Sequence, residues 1–233
     1  DADYQLIGEE DNDQIGTSVS NAGDVDNDGY LDIYLGTGAP PMDTYEPNKL
    51  LWNTGMGTFL DVTESAGVGN LGKGHGATFS DYDNDGDLDL YTVNREQENG
   101  LYRNDLNETD TFPAIACALS VANGEIGQGG AFADYDNDGD LDLYVVNREQ
   151  ENALFRNDLT AEQGLFTEIA CALSLANAEI GQSAAWADYD NDGDLDLYVA
   201  DFFAQDFLYQ GDGGQSFTEI GRARAMVNTE KRG

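Results

Sequence analysis

The chain has 233 residues, of which 40% are hydrophobic, and its formal net charge is −36 at pH 7. This hydrophobic content argues against a wholly disordered chain and is sufficient for one sizeable core or two small ones. The charge argues against nucleic acids and anionic membranes as partners, because both would be repelled, and it favours cations. No stretch approaches the roughly 18 apolar residues of a membrane-spanning helix.

Residues 1–15 contain one strand-like stretch, "YQLIGEE", which runs from Tyr4 to Glu10. The chain opens on Asp1 without an initiator Met or an apolar signal segment. The sequence therefore predicts a processed product, with an export signal upstream of Asp1 in the precursor.

An acidic motif then recurs four times along the chain. "DVDNDGYLDIY" begins at Asp24, and "DYDNDGDLDLY" begins at Asp81, Asp134 and Asp188, so the starts are 57, 53 and 54 residues apart. A segment of small residues precedes each motif, as in "GQGGAFAD", and a segment such as "LFRN" follows it. The chain is therefore four tandem copies of one supersecondary unit.

Each unit has the pattern of antiparallel strands. "LDLYVV" is rich in β-branched and aromatic residues, "FTEI" alternates, and Gly, Asn and Asp separate the segments. We count four strands per unit, and the small residues of the first strand are expected where strands converge on an axis. Four-stranded sheets repeated at this spacing predict an all-β protein, a β-propeller with blades at about residues 16–66, 74–120, 127–174 and 181–221, followed by a basic tail at 222–233. A β-helix would need much shorter repeats.

The spacing of the aspartates predicts four calcium sites, one in each repeat. Carboxylates at loop positions 1, 3, 5 and 9, a Gly at position 6 and a backbone carbonyl at position 7 form the oxygen-only shell that a hard divalent cation requires. The predicted side-chain ligands are Asp24, Asp26, Asp28 and Asp32; Asp81, Asp83, Asp85 and Asp89; Asp134, Asp136, Asp138 and Asp142; and Asp188, Asp190, Asp192 and Asp196. The predicted carbonyl ligands belong to Tyr30, Asp87, Asp140 and Asp194, with the three aspartate side chains facing solvent.

Three alternatives compete with a calcium loop. An EF-hand requires a bidentate Glu at loop position 12, where this chain has Leu35, Thr92, Val145 and Val199. A solvated hairpin turn would leave the same unneutralised carboxylates in every repeat, which costs stability. Magnesium is the weaker candidate, because it keeps several waters and rarely fills a cage made only of protein ligands.

The D-x-D-x-D-G-x-x-D loops, the "LDLY" that follows them and the "LYRN…F" segments resemble the FG-GAP/VCBS repeat family, which includes integrin α-chain heads. The resemblance extends from Gly16 to Ile220. It implies a propeller blade with calcium in the hairpin between its first two strands, in an extracellular setting. It does not imply one activity, because members include adhesion heads, lectins and accessory domains of enzymes.

The single histidine, the two cysteines, a glycosylation sequon and the aromatic residues each carry an expectation. His75, the only histidine, is expected to be structural, since no catalytic partner for it can be assembled. Cys117 and Cys171 occupy equivalent places in successive repeats, too far apart to bond to each other, which leaves buried small residues or intermolecular links. Asn107 begins a glycosylation sequon in a predicted loop. The aromatic residues, which include the equivalent Tyr34, Tyr91, Tyr144 and Tyr198, are expected to pack between blades.

The strand at Tyr4 to Glu10 exceeds the count needed for four blades, and three explanations compete. It completes the last blade of a closed four-bladed ring, which the length favours; it belongs to a longer propeller; or it pairs with a neighbouring molecule. In the last case Tyr4, Gln5, Leu6 and Ile7 would add to an edge strand of the next subunit.

The sequence thus favours a calcium-stabilised extracellular module, secreted or at the cell surface, that is structural or adhesive and not an enzyme. Its expected partners are calcium ions and either itself, as a filament built through the N-terminal strand, or another extracellular protein or glycan. The alternatives are a calcium-dependent carbohydrate-binding lectin and an accessory domain of a larger secreted enzyme.

Overall fold

The computed structural model describes residues 18–36, 47–70, 74–95, 97–109, 111–123, 126–148, 150–158, 165–177, 181–202, 205–214 and 216–221. The predicted assembly strand at Tyr4, Gln5, Leu6 and Ile7 and the predicted basic tail at 222–233 lie outside these residues.

Each acidic repeat forms one antiparallel sheet, here called a blade, in which the chain runs through neighbouring strands in order. Blade 1 has β1 (Ser18–Gly23), β2 (Asp32–Gly36), β3 (Lys49–Asn53) and β4 (Phe59–Asp61), followed by the short helix α1 (Thr63–Ala66). Blade 2 has β5 (Gly74–Ser80), β6 (Asp89–Asn94) and β7 (Gly100–Tyr102), followed by α2 (Leu106–Thr109). Blade 3 has β8 (Gly127–Ala133), β9 (Asp142–Asn147), β10 (Ala153–Asp158) and β11 (Leu165–Glu168). Blade 4 has β12 (Gly181–Ala187), β13 (Asp196–Asp201), β14 (Phe207–Gly211) and β15 (Phe217–Glu219).

Blade 2 differs from the predicted four strands. Its sheet has three, and isolated bridges from Tyr102 to Ala114 and from Asp105 to Thr111 stand in place of the fourth. The segment that aligns with "FTEI" here reads "FPAI". Pro113 accepts a hydrogen bond from the Arg103 N–H, but it has no N–H to donate, so a regular ladder cannot form.

The first strands of consecutive blades pack beside one another, β1 against β5, β5 against β8 and β8 against β12. Their small residues suit this close approach, because a Cβ on these strands would already be in van der Waals contact with the neighbouring backbone. A Cβ added to Gly76 would lie 3.5 Å from the Gln128 carbonyl oxygen, and one added to Gly129 would lie 3.4 Å from that of Gln182. The architecture is that of consecutive β-propeller blades, as predicted.

Three hydrophobic cores lie between the four blades, one at each junction. A tyrosine from the second strand of the earlier blade is buried in each core and meets an aromatic ring of the later blade edge-on, at centroid distances of 6.0–6.2 Å. These pairs are Tyr34 with Phe79, Tyr91 with Phe132, and Tyr144 with Trp186. Packing between blades, the predicted role of the aromatic residues, is confirmed for Tyr34, Tyr91, Tyr144 and Trp186.

The two ends of the blade series do not meet in the described part of the chain. No packing comparable to that between the other first strands joins β12 to β1. Tyr198, the blade 4 equivalent of the three buried tyrosines, is only half-buried. The described residues therefore form an arc of four blades, and the closed ring that the length favoured is not seen among them.

This difference between junction and end can be tested with two equivalent leucines. Leu154 is fully buried opposite Tyr144, and Leu208, in the same register opposite Tyr198, is half-buried. We expect Leu154→Ala to lower the free energy of unfolding by about 2–5 kcal/mol, and Leu208→Ala to lower it by clearly less, because a smaller contact is lost. Urea unfolding of both variants measures the two costs, and equal losses would contradict the assignment of Leu208 to an open face.

Candidate metal centre

The four acidic loops join the first strand of each blade to the second. At loop position 4, Asn27, Asn84, Asn137 and Asn191 have φ values of +57° to +59°, and the glycines at position 6 have φ values of +92° to +98°. Asn tolerates the left-handed region and Gly adopts it without strain, so the "DNDG" sequence allows two sharp bends within three residues. These bends turn the aspartates of one loop toward one another.

The aspartate at position 1 holds the loop in shape. In the third loop, Asp134 accepts the Asp138 N–H through Oδ1 and the Gly139 N–H through Oδ2, each at 3.0 Å. The other three loops repeat both bonds at 2.9–3.1 Å. Position 5 adds a further bond, from the Asp140 N–H to Asp138 Oδ1 at 3.0 Å.

The aspartate at position 9 is buried and fastens the loop to the body of the blade. Asp142 accepts the Tyr135 N–H through Oδ2 at 3.3 Å and the Asn157 N–H, at the end of the third strand, through Oδ1 at 2.8 Å. Asp32, Asp89 and Asp196 repeat this pair of bonds. The carboxylate is thereby fixed by backbone groups from two parts of its own blade.

The aspartate at position 3 completes a cluster of converging carboxylate oxygens. Asp83 Oδ1 and Asp136 Oδ1 are buried and have no hydrogen-bond partner among the described residues. In each loop, one oxygen from each of three carboxylates lies within 4.8 Å of the others. The clusters are Asp24, Asp26 and Asp32; Asp81, Asp83 and Asp85; Asp134, Asp136 and Asp142; and Asp188, Asp190 and Asp196.

The clusters contain some of the predicted ligands in each loop. Positions 1 and 3 are present in all four, position 9 in three and position 5 only in the second loop. Asp28, Asp138 and Asp192 lie outside the tight groups and accept N–H bonds from the residue at position 7. An oxygen-only donor set with three converging carboxylates and an unpaired buried oxygen fits a hard divalent cation.

The electrostatics of the loops point the same way. Burial raises the pKa of Asp89 and of Asp142 to about 8, and the neighbouring carboxylates of Asp83 and Asp136, respectively, add to the effect. Burial is also the largest cause of the raised pKa values of Asp26 and Asp83. Carboxylates that are costly to ionise in the metal-free loop would be relieved by a nearby positive charge.

Hydrogen bonds also link the first loop to the second and the second to the third, which the sequence did not reveal. The Asn157 side chain donates to the Tyr82 carbonyl of the preceding loop at 2.9 Å, and Asn104 donates likewise to Val25. The predicted solvent-facing side chains of Asp87 and Asp140 instead accept hydrogen bonds from Asn27 and Asn84, at 2.7 and 3.1 Å. The recurrent asparagines at position 4 and in "LYRN" were the available signal.

The remaining candidates do not form a second centre. Cys117 and Cys171 are free and exposed, so the prediction of buried small residues is wrong for both. His75 lies half-buried in β5, where burial lowers its pKa, with Arg95 and Arg148 adding to the effect. Asn107 is exposed in α2 and donates to Asp87 Oδ2 at 2.9 Å.

The repeats can now be compared with known proteins. The model of the FG-GAP-like repeat matches the chain three times in overlapping register, over residues 24–92, 81–145 and 134–199. The chain belongs to the FG-GAP-like repeat family. Each matched stretch begins at the first aspartate of one loop and ends within the second strand of the following blade, so the family pattern includes the junction between blades.

Individual relatives share part of this chain. Mouse cartilage acidic protein 1 is 31% identical over 162 residues, which are 66% of this chain and 25% of that protein. The human protein is 30% identical over 162 residues, with 66% and 24% covered. The chain therefore spans about a quarter of the length of the curated relatives that it matches.

A solved structure also resembles the fold. It is an Agrocybe aegerita lectin described as recognising non-reducing terminal N-acetylglucosamine, with 17% identity and a TM-score of 0.48 over 86% of this chain and 50% of the lectin. A likeness at this level does not bear on what this chain binds. Among the described residues, no helix combines the length and apolar character that a membrane span requires.

The raised pKa values predict how stability depends on pH in the metal-free protein. A folded-state pKa of about 8 for Asp89, against an ordinary 3.8, means that the folded state holds this proton more tightly than the unfolded state. Its contribution to stability is complete below the ordinary value and is lost as pH rises toward 8. In excess EDTA we expect the melting temperature to fall between about pH 5 and about pH 8.

Differential scanning calorimetry in EDTA measures this dependence, with parallel scans in excess calcium as the control. The fall should be smaller in calcium, because the cation competes with protons for the same oxygens. A melting temperature that rises with pH across this window in EDTA would contradict the assignment of buried, proton-holding carboxylates.

Proposed function

We propose that this chain is a calcium-stabilised, non-enzymatic propeller module that serves a structural or adhesive role outside the cell. The observation that carries the proposal is the pair of unpaired buried oxygens, Asp83 Oδ1 and Asp136 Oδ1, which face two other carboxylates in their loops. A buried charge without a partner is costly, so a ligand that satisfies it should have a large effect on folding.

Bound calcium would supply two positive charges per loop, which for four loops changes the formal charge from −36 to −28. The chain's own residues do the rest. Asp134 and Asp142 are already fixed by backbone N–H groups, so their remaining lone pairs need little reorganisation to accept a cation. The third aspartate, Asp136, is the one that exchanges an unsatisfied oxygen for a ligand bond.

An extracellular location is supported by the expected affinity and by the relatives. Extracellular calcium modules bind at roughly 10⁻⁴ to 10⁻³ M, far above cytosolic calcium levels. Partly exposed loops with three converging carboxylates suit this range better than a closed cage. The relatives named for cartilage and for acidity agree with an acidic protein of the tissue exterior.

A structural role is supported by how the reactive groups are used. The loop carboxylates are committed to hydrogen bonds and to the cation, and His75 is half-buried with a lowered pKa in the inner strand of blade 2. General acid–base or nucleophilic catalysis would need a nucleophile and a base within hydrogen-bond reach. The described residues offer no such pair beside His75.

Calcium titration tests the proposal directly. Equilibrium dialysis of the chain should give four bound calcium ions, and the melting temperature should rise sharply from EDTA to millimolar calcium, because binding to the folded state alone is stabilising. Asp136→Asn should lower the stoichiometry by one ion. Glu64→Gln, an equal charge change on the exposed face of α1, is the matched control and should leave all four ions bound.

An unchanged melting temperature in excess EDTA would overturn the proposal. Four ions bound to Asp136→Asn would instead overturn the ligand assignment. If magnesium bound equally well in a parallel titration, the proposal that the sites are specific for calcium would be wrong.

Assembly through the N-terminal strand stays a prediction, because Tyr4, Gln5, Leu6 and Ile7 lie outside the described residues. Deletion of residues 1–10 should leave a folded, calcium-binding chain that forms no filaments through this strand. Electron microscopy and calcium binding of the deleted chain measure both properties. Unfolding upon deletion would show that the strand belongs to its own propeller.

A further inference from the structure

The two end blades expose faces that are covered everywhere else in the chain. We define the trailing face of blade 4 by Ser183, Ala185, Ala187 and Tyr189, and the leading face of blade 1 by Leu31, Ile33, Asn53 and Phe59. At the three internal junctions, a trailing face of this kind packs on the leading face of the next blade.

Along β12, burial alternates between the two sides of the strand. Gln182, Ala184 and Trp186 are partly covered by blade 3, whereas the intervening trailing-face residues are exposed. In β8, which has β12 beside it, the equivalent Gly129 and Ala131 are half-buried and Ala133 is buried. The exposed side of β12 is therefore a junction surface on which no blade of the described part of the chain packs.

A second sign comes from the aromatic residue at loop position 2. Tyr82 and Tyr135 are buried, and each lies 6.0 Å from a phenylalanine in the outer strand of the next blade, Phe166 and Phe217 respectively. Tyr189 is the equivalent residue of blade 4 and is only half-buried. Among the described residues, no phenylalanine of a following blade lies against it.

Residues on the leading face of blade 1 are likewise more exposed than their counterparts in the other blades. Phe59 is in the register position of Phe166 and Phe217, yet it is 39% exposed where they are 4% and 8% exposed. Leu31 is 60% exposed. Its counterpart Leu88 packs so closely on Gly23 of the preceding blade that no Cβ would fit there.

The asparagine at the end of the third strand makes fewer hydrogen bonds in blade 1 than its equivalents do in blades 2 and 3. Asn104 and Asn157 each donate to a carbonyl of their own blade at 3.2 Å and to a carbonyl of the preceding loop at 2.9 Å. Asn53 makes the first of these bonds, to Leu31 at 3.2 Å. For the second, the residues that the structure describes include no loop of a preceding blade.

We propose that the leading face of blade 1 packs on the trailing face of blade 4 of a second copy of this chain. Phe59 then meets Tyr189, Leu31 covers Ala187, and the Asn53 amide donates to the Tyr189 carbonyl, which reproduces the contacts of an internal junction. The contact is heterologous, so two copies that join at both ends close a ring of eight blades, and a different rotation gives an open filament.

Two features make this contact weaker than an internal junction. The residue in register with Phe79, Phe132 and Trp186 is Asn21, so the edge-on aromatic contact is lost. Both copies are also strongly negative, and their repulsion is reduced by salt or by bound cations. The proposal adds a partner to the structural module proposed above, and it depends only on the packing of the blades.

Charge-inserting variants of the two faces provide the test. In excess calcium, analytical ultracentrifugation of the unaltered chain should show species larger than a monomer that increase with concentration. Phe59→Arg damages only the leading face and Ala185→Arg only the trailing face, so each alone should sediment as a monomer. An equimolar mixture retains one intact leading face and one intact trailing face, and it should form a complex of two copies.

Leu60→Arg is the matched control, because it places the same charge next to Phe59 but on the other side of β4, and it should associate like the unaltered chain. Melting temperatures establish that each variant is folded, and Ser183→Arg replaces Ala185→Arg if the latter does not fold. An unaltered chain that stays monomeric at every concentration, or a mixture of folded variants that stays monomeric, would overturn the proposal. Loss of calcium binding with association intact would overturn only the function proposed above.

Discussion

One buried aspartate in each repeat, at loop position 9, joins the acidic loop to the rest of its blade, and the order of the whole site follows from it. Asp142 and its equivalents accept one backbone N–H from the acidic loop and one from the end of the third strand, so a single carboxylate holds the first hairpin against the strand that completes its blade. The same burial raises the pKa of Asp142, so ionising this carboxyl in the metal-free loop costs free energy. The side chain that joins the loop to its blade is therefore also one that the proposed cation would contact.

Neighbouring blades contact each other through their loops as well as through their hydrophobic cores. The hydrophobic junctions supply most of the apolar burial, but the side-chain amides of Asn104 and Asn157 connect the third strand of one blade to the loop of the blade before it. A cation bound in one loop would thus restrict the motion of the backbone carbonyl that accepts the hydrogen bond from the next blade's asparagine. Blade 4 has Gly211 at this position, so its tie to the third loop relies on side-chain packing of Trp186 and Phe217 with Tyr135.

The structure of the repeat unit explains why packing surfaces are uncovered at the two ends of the described arc. A blade has two different faces, and each is covered by the opposite face of another blade, so an open run of blades leaves one face of each kind uncovered. Internal repeats hide this property because their neighbours come from the same chain. The half-buried Tyr189 and the exposed Phe59 show it at the two ends.

The repeat, the all-β blades, the acidic loops and their place between the first two strands follow from the sequence, because these depend on local spacing, turn chemistry and alternation. The Asn and Gly of "DNDG" likewise predict the two left-handed residues of each loop. Which carboxylates converge in a loop, and how Pro113 interrupts the fourth strand of blade 2, became clear from the folded backbone, because both depend on the path of the chain within one blade. The bonds of Asp87 and Asp140 to the preceding loop and the separation of β12 from β1 concern residues more than 50 positions apart, and no local pattern encodes such distances.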